Sequence, residues 1–422
     1  MTRRVLLLGC GAQGKAALHD LFSGDDSTHV VVADSDQDSD RGVDAIARRY
    51  PAERVTAKVI DATDEAAITA LMREADVVVE ALPGTFALPM ARLAARCGVS
   101  SVSSMYLRDP QEQDARKIAA TEQAIGEIDR AAREEGIVIL PEFGLDPGLD
   151  LILGARALTE LDEVEEFRAY GAGIPGPNAR DNALGYKFSW SPIGVMRSYR
   201  RPARIITGGQ PAEIDADALF EPGRHHIVEL PAIGAPLECY PNGDAVHYAE
   251  LFGLRGKVRE MARYTGRLSG HSAFWNVMVK SGFLDRTPVA VNGAAVAPIE
   301  FTAALLASQA QFQYGDADED LTWIRVDVRG KRGGKGVRVV HDLVDRRDFV
   351  TGFTSMQRTV GFTLARGARL ILDGALGRTG LLTPIEVPYE LVFPALERHG
   401  IRVERQELPP ASKLETPAAD SC

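Results

Sequence analysis

Cysteine is scarce in this chain. It occurs only at Cys10, Cys97, Cys239 and Cys422. The four are scattered, without a CxxC pair or a histidine-rich spacing, so neither a disulfide framework nor a zinc site organises the fold, and no metal is expected. Basic charge is short as well: 48 Lys and Arg stand against 59 Asp and Glu, a net charge of −11. Binding to nucleic acid or to an anionic membrane draws on a surplus of cations that releases counterions. Without that surplus neither partner is expected. No apolar run approaches the roughly 20 residues of a membrane span. The N-terminal VLLL leads straight into a glycine turn and is too short for a secretory leader, so a cytoplasmic location is expected. There is no internal repeat.

What is present is the balance of a folded globular protein, 45% apolar and 25% charged, over 422 residues, a length that suggests two domains. From residue 4 to 144, short β-rich runs alternate with helical ones. Strands are expected at 4–9, 29–36, 55–61, 76–83, 99–105 and 137–144, with helices at 13–23, 42–50, 64–75, 86–98 and 111–136. That alternation implies parallel βαβ units with right-handed crossovers. Beyond 150 the pattern changes to strands with alternating faces at 161–173, 225–233, 323–330 and 336–345, with helices at about 250–262 and 297–311. This reads as an α+β domain on a mostly antiparallel sheet. The expected organisation is a nucleotide-binding domain over 1–150, a substrate and dimerisation domain over 151–353, a helical part at 354–400 that packs back on the first domain, and a Pro/Ser/Ala-rich disordered tail over 408–422.

The strongest local signal is GCGAQG, with Gly9, Gly11 and Gly14 between the first strand and the first helix. The first glycine permits the tight turn, the second lets a pyrophosphate approach the backbone, and the third lets helix and strand pack closely. The amides that open the helix at Ala12 and Gln13 then attract the phosphates. Context and spacing match a dinucleotide site on a Rossmann-type, doubly wound parallel sheet. Asp34 ends the second strand about 20 residues on, where an acid accepts from the ribose 2′-hydroxyl and repels a 2′-phosphate. The loop that follows, DSDQDSD, is acidic, so NAD is expected rather than NADP. Asp61 ends the third strand and Leu82–Pro83 the fourth, positions where ligands of such sheets gather, on the adenine and nicotinamide sides respectively.

Further on, PEFGLDPGLD places Glu142, Asp146 and Asp150 in a rigid turn. Such acids hold a cationic substrate or serve as general base, or else simply cap the next helix. The stretch DNALGYKFSWSP (181–192) mixes an acid, an amide and a lysine with three aromatics, an odd composition for a core. His271 in RLSGH and Arg263–Tyr264 in MARYTGR are further polar candidates, with a structural role open for each. RGKRGGKG (329–336) lies between two alternating strands and reads as a solvated hairpin loop.

Taken together, GLDPGLD, DNALGYKFSWSP, LECYPNGDAVHYAELFGL and TSMQRTVGFTLARGARLILDG resemble the saccharopine dehydrogenase family, which includes glutamate-forming saccharopine dehydrogenases and the similar lysine 6-dehydrogenases. The resemblance runs to about residue 400. It implies a Rossmann domain, a substrate domain, a homodimer and reversible hydride transfer between a nicotinamide and a carbon–nitrogen bond of an amino acid. It also implies that the segments holding Asp146, Lys187–Trp190 and Arg263–Tyr264 face the cleft. On this reading Tyr186, Phe188 and Trp190 exclude water, Lys187 or Asn182 holds a carboxylate, Asp146 pairs with the substrate nitrogen, and Asp146, Lys187 and His271 are the catalytic candidates. The family's Pro-Asn-Arg-Asp stands here as Pro241-Asn242-Gly243-Asp244, which puts recognition of a glutamate moiety in question. Three activities stay open: glutamate-forming saccharopine dehydrogenase, lysine 6-dehydrogenase or a related diamino-acid enzyme, and a silent NAD-binding protein.

Overall fold

The computed structural model describes residues 2–24, 27–36, 38, 42–110, 112 and 114–410. The chain divides into two compact units, Met1–Ile152 with Gln357–Ile401, and Leu153–Met356 with Arg402–Cys422. The C-terminal stretch 411–422, expected to be disordered, lies outside the described residues.

The first unit opens with β1 (Arg3–Leu8), α1 (Ala12–Gly24), β2 (Thr28–Asp34), α2 (Val43–Ala47), β3 (Val55–Val59) and α3 (Glu65–Met72). It continues with β4 (Val77–Glu80), α4 (Ala87–Cys97), β5 (Ser100–Ser103), α5 (Ala115–Glu134) and β6 (Val138–Leu140), and α6 (Leu149–Leu158) begins in it and runs into the second unit. The local signals act where they should. Asp64 accepts from the Ala67 amide to cap α3, Asp114 caps α5, and Gly98 at φ 65° ends α4 in a left-handed turn.

In the second unit come β7 (Glu163–Pro175), α7 (Pro192–Ser198), β8 (Ala203–Thr207), β9 (Gln210–Ile214), β10 (His226–Leu230), β11 (Ala235–Pro241), α8 (Ala245–Leu251) and β12 (Glu260–Leu268). Then follow α9 (His271–Lys280), β13 (Val289–Val291), β14 (Ala294–Val296), α10 (Pro298–Ala307), β15 (Asp320–Arg332) and β16 (Lys335–Arg346). The chain returns to the first unit in α11 (Ser355–Leu372), β17 (Gly380–Leu381) and α12 (Tyr389–Glu397), and ends in the second with β18 (Val403–Leu408).

The first unit's sheet is parallel throughout, in the order β17-β6-β5-β4-β1-β2-β3. Order reverses at β1, so the crevice beyond the ends of β1 and β4 is the switch point where such sheets bind ligands. Sheet and helices close over Leu6, Leu8, Ile68, Val78, Met90, Ile128 and Ile139.

The second unit's nine-stranded sheet runs β10-β11-β12-β7-β15-β16-β18, with β8 and β9 branching from β12. Its pairs are antiparallel except β12 with β7. The fold is therefore a Rossmann-type unit plus an α+β unit on a mostly antiparallel sheet. RGKRGGKG forms the β15–β16 hairpin, turning at Gly333 and Gly334 with positive φ.

One expected element is corrected. No helix covers 250–262. The helix ends at Leu251, positive-φ glycines at 253 and 256 turn the chain, and Glu260–Leu268 is a central strand. Its apolar residues find partners in β7, about a hundred residues away along the chain, and that pairing overrides the helical look of the segment.

Residues 357–401 pack within the first unit. Gly361 of α11 brings its backbone against α1, where an added Cβ would lie 2.6 Å from Ala16 and 2.7 Å from the Gln13 carbonyl. Beside this contact Asp20, buried on α1, accepts from Arg369 at 2.6 Å and pairs with His399 at 2.8 Å. Burial alone would raise the Asp20 carboxyl, but the hydrogen bond from His399 and the charge of Arg369 outweigh it and hold the pKa below its ordinary 3.8. A depressed carboxyl contributes stability above its unfolded pKa, and that contribution is lost as pH falls through the folded value. Asp20→Asn strands Arg369, so it is expected to lower the unfolding free energy by about 3 kcal/mol at neutral pH. It should also flatten the acid-side loss of stability below about pH 4, measured by urea unfolding across pH.

Candidate active site

The nucleotide end of the first unit is built on missing Cβ atoms. An added Cβ at Gly14 would lie 2.1 Å from the Gly9 carbonyl, and one at Gly9 would lie 2.6 Å from the Ala81 carbonyl. Gly9 also takes φ 91°, a conformation that L side chains rarely adopt. Gly11 differs: nothing lies within 4 Å of its added Cβ. Two glycines thus permit internal packing, and the third opens on free space at the N-terminus of α1, where Ala12 and Gln13 present backbone amides. A pyrophosphate fits that cradle.

Asp34, at the end of β2, accepts from the Cys10 amide at 2.5 Å and the Asp36 amide at 2.9 Å, which fixes its carboxylate against the glycine turn. Asp61 accepts from the Thr63 amide and hydroxyl, both at 2.8 Å, and these bonds lower its pKa; it forms an exposed turn that leads into α3. Leu82–Pro83 follows β4, and the Leu82 amide donates to Glu80 at 2.8 Å.

Glu80 was not singled out from sequence. It is fully inside, and its other oxygen accepts from the Ser103 hydroxyl, which in turn accepts from the Met105 amide at 3.0 Å. Burial pushes the Glu80 carboxyl up to about 7, against the hydrogen bonds from Ser103 and Leu82. The carboxyl therefore ties together the turns that follow β4 and β5.

The acidic turn after β6 leans on the same region. Glu142 sits at φ 59°, unusual for a side chain. Its amide donates to the Met105 carbonyl at 3.1 Å, and the Phe143 amide donates to the Ser103 carbonyl at 2.8 Å. The Asp146–Pro147 bond is cis. Buried Asp150 accepts from the Gly148 amide at 2.9 Å and serves the turn itself.

In the second unit the stretch 181–191 is an irregular loop that feeds α7, capped by Ser191. The Asn182 amide is wholly engaged in closing this loop. It donates to the Tyr186 and Gln311 carbonyls, both at 2.9 Å, and accepts from the Leu184 amide at 3.0 Å. Lys187 is buried and donates to Asp318 at 2.7 Å. Neither side chain presents a free group to a carboxylate. Tyr186 and Phe188 sit edge to face in the core with Tyr199, Tyr240 and Trp275, and Trp190 is the exposed aromatic of the loop at 36%.

His271 opens α9 in the same cluster, stacked on Tyr240 and edge-on to Tyr186 and Tyr199. Burial first, and the charge of Arg267 second, push its pKa well below 6.5, so the ring is neutral. Arg263 lies with its guanidinium 4.5 Å over the Tyr248 ring and 3.6 Å from where a Cβ at Gly243 would stand. Tyr264 stacks on Tyr170 and meets His226 edge-on. The structure thus brings Tyr186 and His271 together and places Lys187 beside Asp318. Cys10, Cys97 and Cys239 are unbridged, and no group of metal ligands gathers among the described residues. Among the same residues no helix is long and apolar enough to cross a membrane.

The glycine geometry separates packing from binding. Gly14→Ala is expected to destabilise the chain by about 2 kcal/mol in urea unfolding. Gly11→Ala should leave stability within about 0.5 kcal/mol yet weaken binding of a nicotinamide dinucleotide about tenfold or more, read by fluorescence titration.

Two family models match the chain: the saccharopine dehydrogenase NADP binding domain over residues 5–140, and the saccharopine dehydrogenase C-terminal domain over 144–401. Among curated proteins, the mitochondrial alpha-aminoadipic semialdehyde synthase of Mus musculus is 25% identical over 94% of this chain and 46% of its own length. The chain therefore spans about half the length of such relatives. The NADP(+), L-glutamate-forming saccharopine dehydrogenase of Saccharomyces cerevisiae is 24% identical over 96% of this chain and 99% of its own. The apo structure of the Saccharomyces cerevisiae L-Glu-forming enzyme superposes with a TM-score of 0.77 at 23% identity, covering 96% of this chain and 100% of that one, which shows a shared fold. With both halves matched by its models and the nucleotide cradle in place, the chain belongs to the saccharopine dehydrogenase family.

Proposed function

We propose that the chain is an NAD(P)-dependent oxidoreductase acting on the carbon–nitrogen bond of a lysine-derived amino acid, of the glutamate-forming saccharopine dehydrogenase type. The observation that carries this reading is the open cradle at Gly11, on a chain whose two halves match that family's models. The nucleotide would be held by Gly9, Gly11 and Gly14, the amides of Ala12 and Gln13, Asp34, Asp61 and the Leu82–Pro83 turn. When bound, it supplies the acceptor for a hydride from the carbon that bears nitrogen. Water then adds to the resulting imine and the carbon–nitrogen bond breaks, giving glutamate and an aldehyde. Asp146 is the proposed partner of the substrate nitrogen. The buried aromatics Tyr186 and Phe188 support the loop that carries Trp190. We further propose a homodimer working in the cytoplasm.

At the 2′-position the family favours NADP over the NAD expected from Asp34. The family model and the fungal relatives name NADP, whereas Asp34 and the acidic residues after it repel a 2′-phosphate. A lysine 6-dehydrogenase is the second reading, favoured by Gly243, which leaves its loop without a side chain.

Formation of reduced nicotinamide at alkaline pH, with NADP and NAD each tested on saccharopine and on lysine, checks the reading. Turnover of saccharopine with stoichiometric glutamate is expected. Turnover of lysine alone would assign the second activity, and silence on both substrates with either nucleotide would sink the proposal. Asp34→Ala is expected to raise the preference for NADP over NAD about fivefold, the effect of removing a like-charge repulsion of about 1 kcal/mol.

A further inference from the structure

Arg267 near the end of β12 is a buried cation with no acid to answer it. It is 5% exposed and makes no ion pair among the described residues; its Nη1 donates to the neighbouring Gly266 carbonyl at 2.9 Å, and the Tyr186 and Tyr199 hydroxyls lie beside the guanidinium. Two other arginines of this sheet are each matched by an acid. Arg338 donates to both oxygens of Asp327, at 2.9 and 2.6 Å, and Arg325 to both of Asp342, at 2.8 Å each. The acid opposite Arg267 in the β11–β12 register is Glu238, and it is turned away. Its two oxygens accept from the Gly270 and Ser272 amides, at 2.6 and 2.9 Å, where α9 begins.

The groups around this guanidinium are short of partners as well. Its Nε, the hydroxyls of Tyr186 and Tyr199 and the Nε2 of His271 are buried atoms without a hydrogen-bond partner. The guanidinium carbon lies 5.3 Å from the Tyr186 ring centre, and His271 packs 5.9 Å from that ring and 5.5 Å from that of Tyr199. Orphaned polar atoms are rare inside folded proteins, and a cluster of them marks a place where a water or an ion completes the set. Here the set has one net positive charge, hydroxyl donors and an imidazole that can donate through one nitrogen. That combination suits a carboxylate, whose two oxygens accept up to four hydrogen bonds and whose charge answers the guanidinium.

We propose that Arg267, with the Tyr186 and Tyr199 hydroxyls and His271 Nε2, forms a carboxylate-binding subsite of the second unit. The subsite rests on the reading of the chain as an amino-acid dehydrogenase. It supplies the anion recognition that Asn182 and Lys187, both engaged elsewhere, do not. Arg267 is a substrate-binding residue in this scheme, and His271 orients the carboxylate through a hydrogen bond without moving a proton.

The test is direct binding, independent of turnover. Calorimetry on the full chain, with reduced nicotinamide present, uses glutarate as probe and neutral glutaramide as control. Glutarate alone is expected to bind. Arg267→Met should weaken it about 10- to 100-fold, the effect of losing a charge-assisted pair, and Tyr199→Phe about threefold. If Arg267→Met fails to fold, Tyr199→Phe decides, since it removes only one oxygen. Absence of glutarate binding to the unaltered chain, equal binding of glutaramide, or binding by the variants within twofold would each overturn the subsite. Arg267-dependent binding of glutarate by a chain that turns over neither saccharopine nor lysine would leave the subsite standing and remove the dehydrogenase reading instead.

Discussion

The Gly9 carbonyl and the Cα of Gly14 approach so closely that no Cβ fits between them, and the Gly9 Cα approaches the Ala81 carbonyl in the same way. The first unit depends on this contact. It fixes the entry of α1 against the end of β1 and sets β4 beside both, so that the strand ends at the switch point line one crevice. The constraint also leaves a mark at Gly11, which has no packing reason to be glycine. A position that stays small while facing open space is explained by what must approach it, here a phosphate group carrying its own charge.

Charge is treated differently in the two units. In the parallel sheet the notable buried ionisable group is an acid, Glu80, satisfied by a hydroxyl and an amide and pushed toward the neutral form. In the antiparallel sheet Arg325 and Arg338 meet acids in bidentate pairs across neighbouring strands, which repays part of their desolvation. Arg267 has no such pair among the described residues. The difference lies in one choice made by Glu238, which holds the start of α9 instead of its cross-strand neighbour.

Much of the first unit was legible in the sequence because its logic is local. Strand, glycine turn and helix follow one another within about 25 residues, and Asp34 falls at the strand end where the pattern places it, with Asp61 two residues past the end of β3. The second unit resists such reading because its partners are remote. Lys187 meets Asp318 across 131 positions, Asn182 meets Gln311 across 129, and β12 lies beside β7. A lysine or amide in an odd composition looks free until its distant partner is known. Conversely, Arg267 looked ordinary, because nothing in RLSGH announces that the acid opposite it will be engaged elsewhere. Glu80 was missed for a related reason: within an apolar strand, one acid reads as a strand end, and only the fold shows it sealed in.

The first unit is assembled from two separate stretches, 1–152 and 357–401, with residues 153–356 inserted between them. Asp20 must wait for Arg369 and His399, more than 340 residues later, before its buried charge is answered. During synthesis the second unit's main sheet strands are therefore complete, apart from β18, while α1 still lacks the helix that covers it. The order of folding is set by connectivity: the inserted unit can consolidate first, and the nucleotide unit closes only when the chain returns. Until then α1 lacks the backbone that Gly361 lays against Ala16 and Gln13.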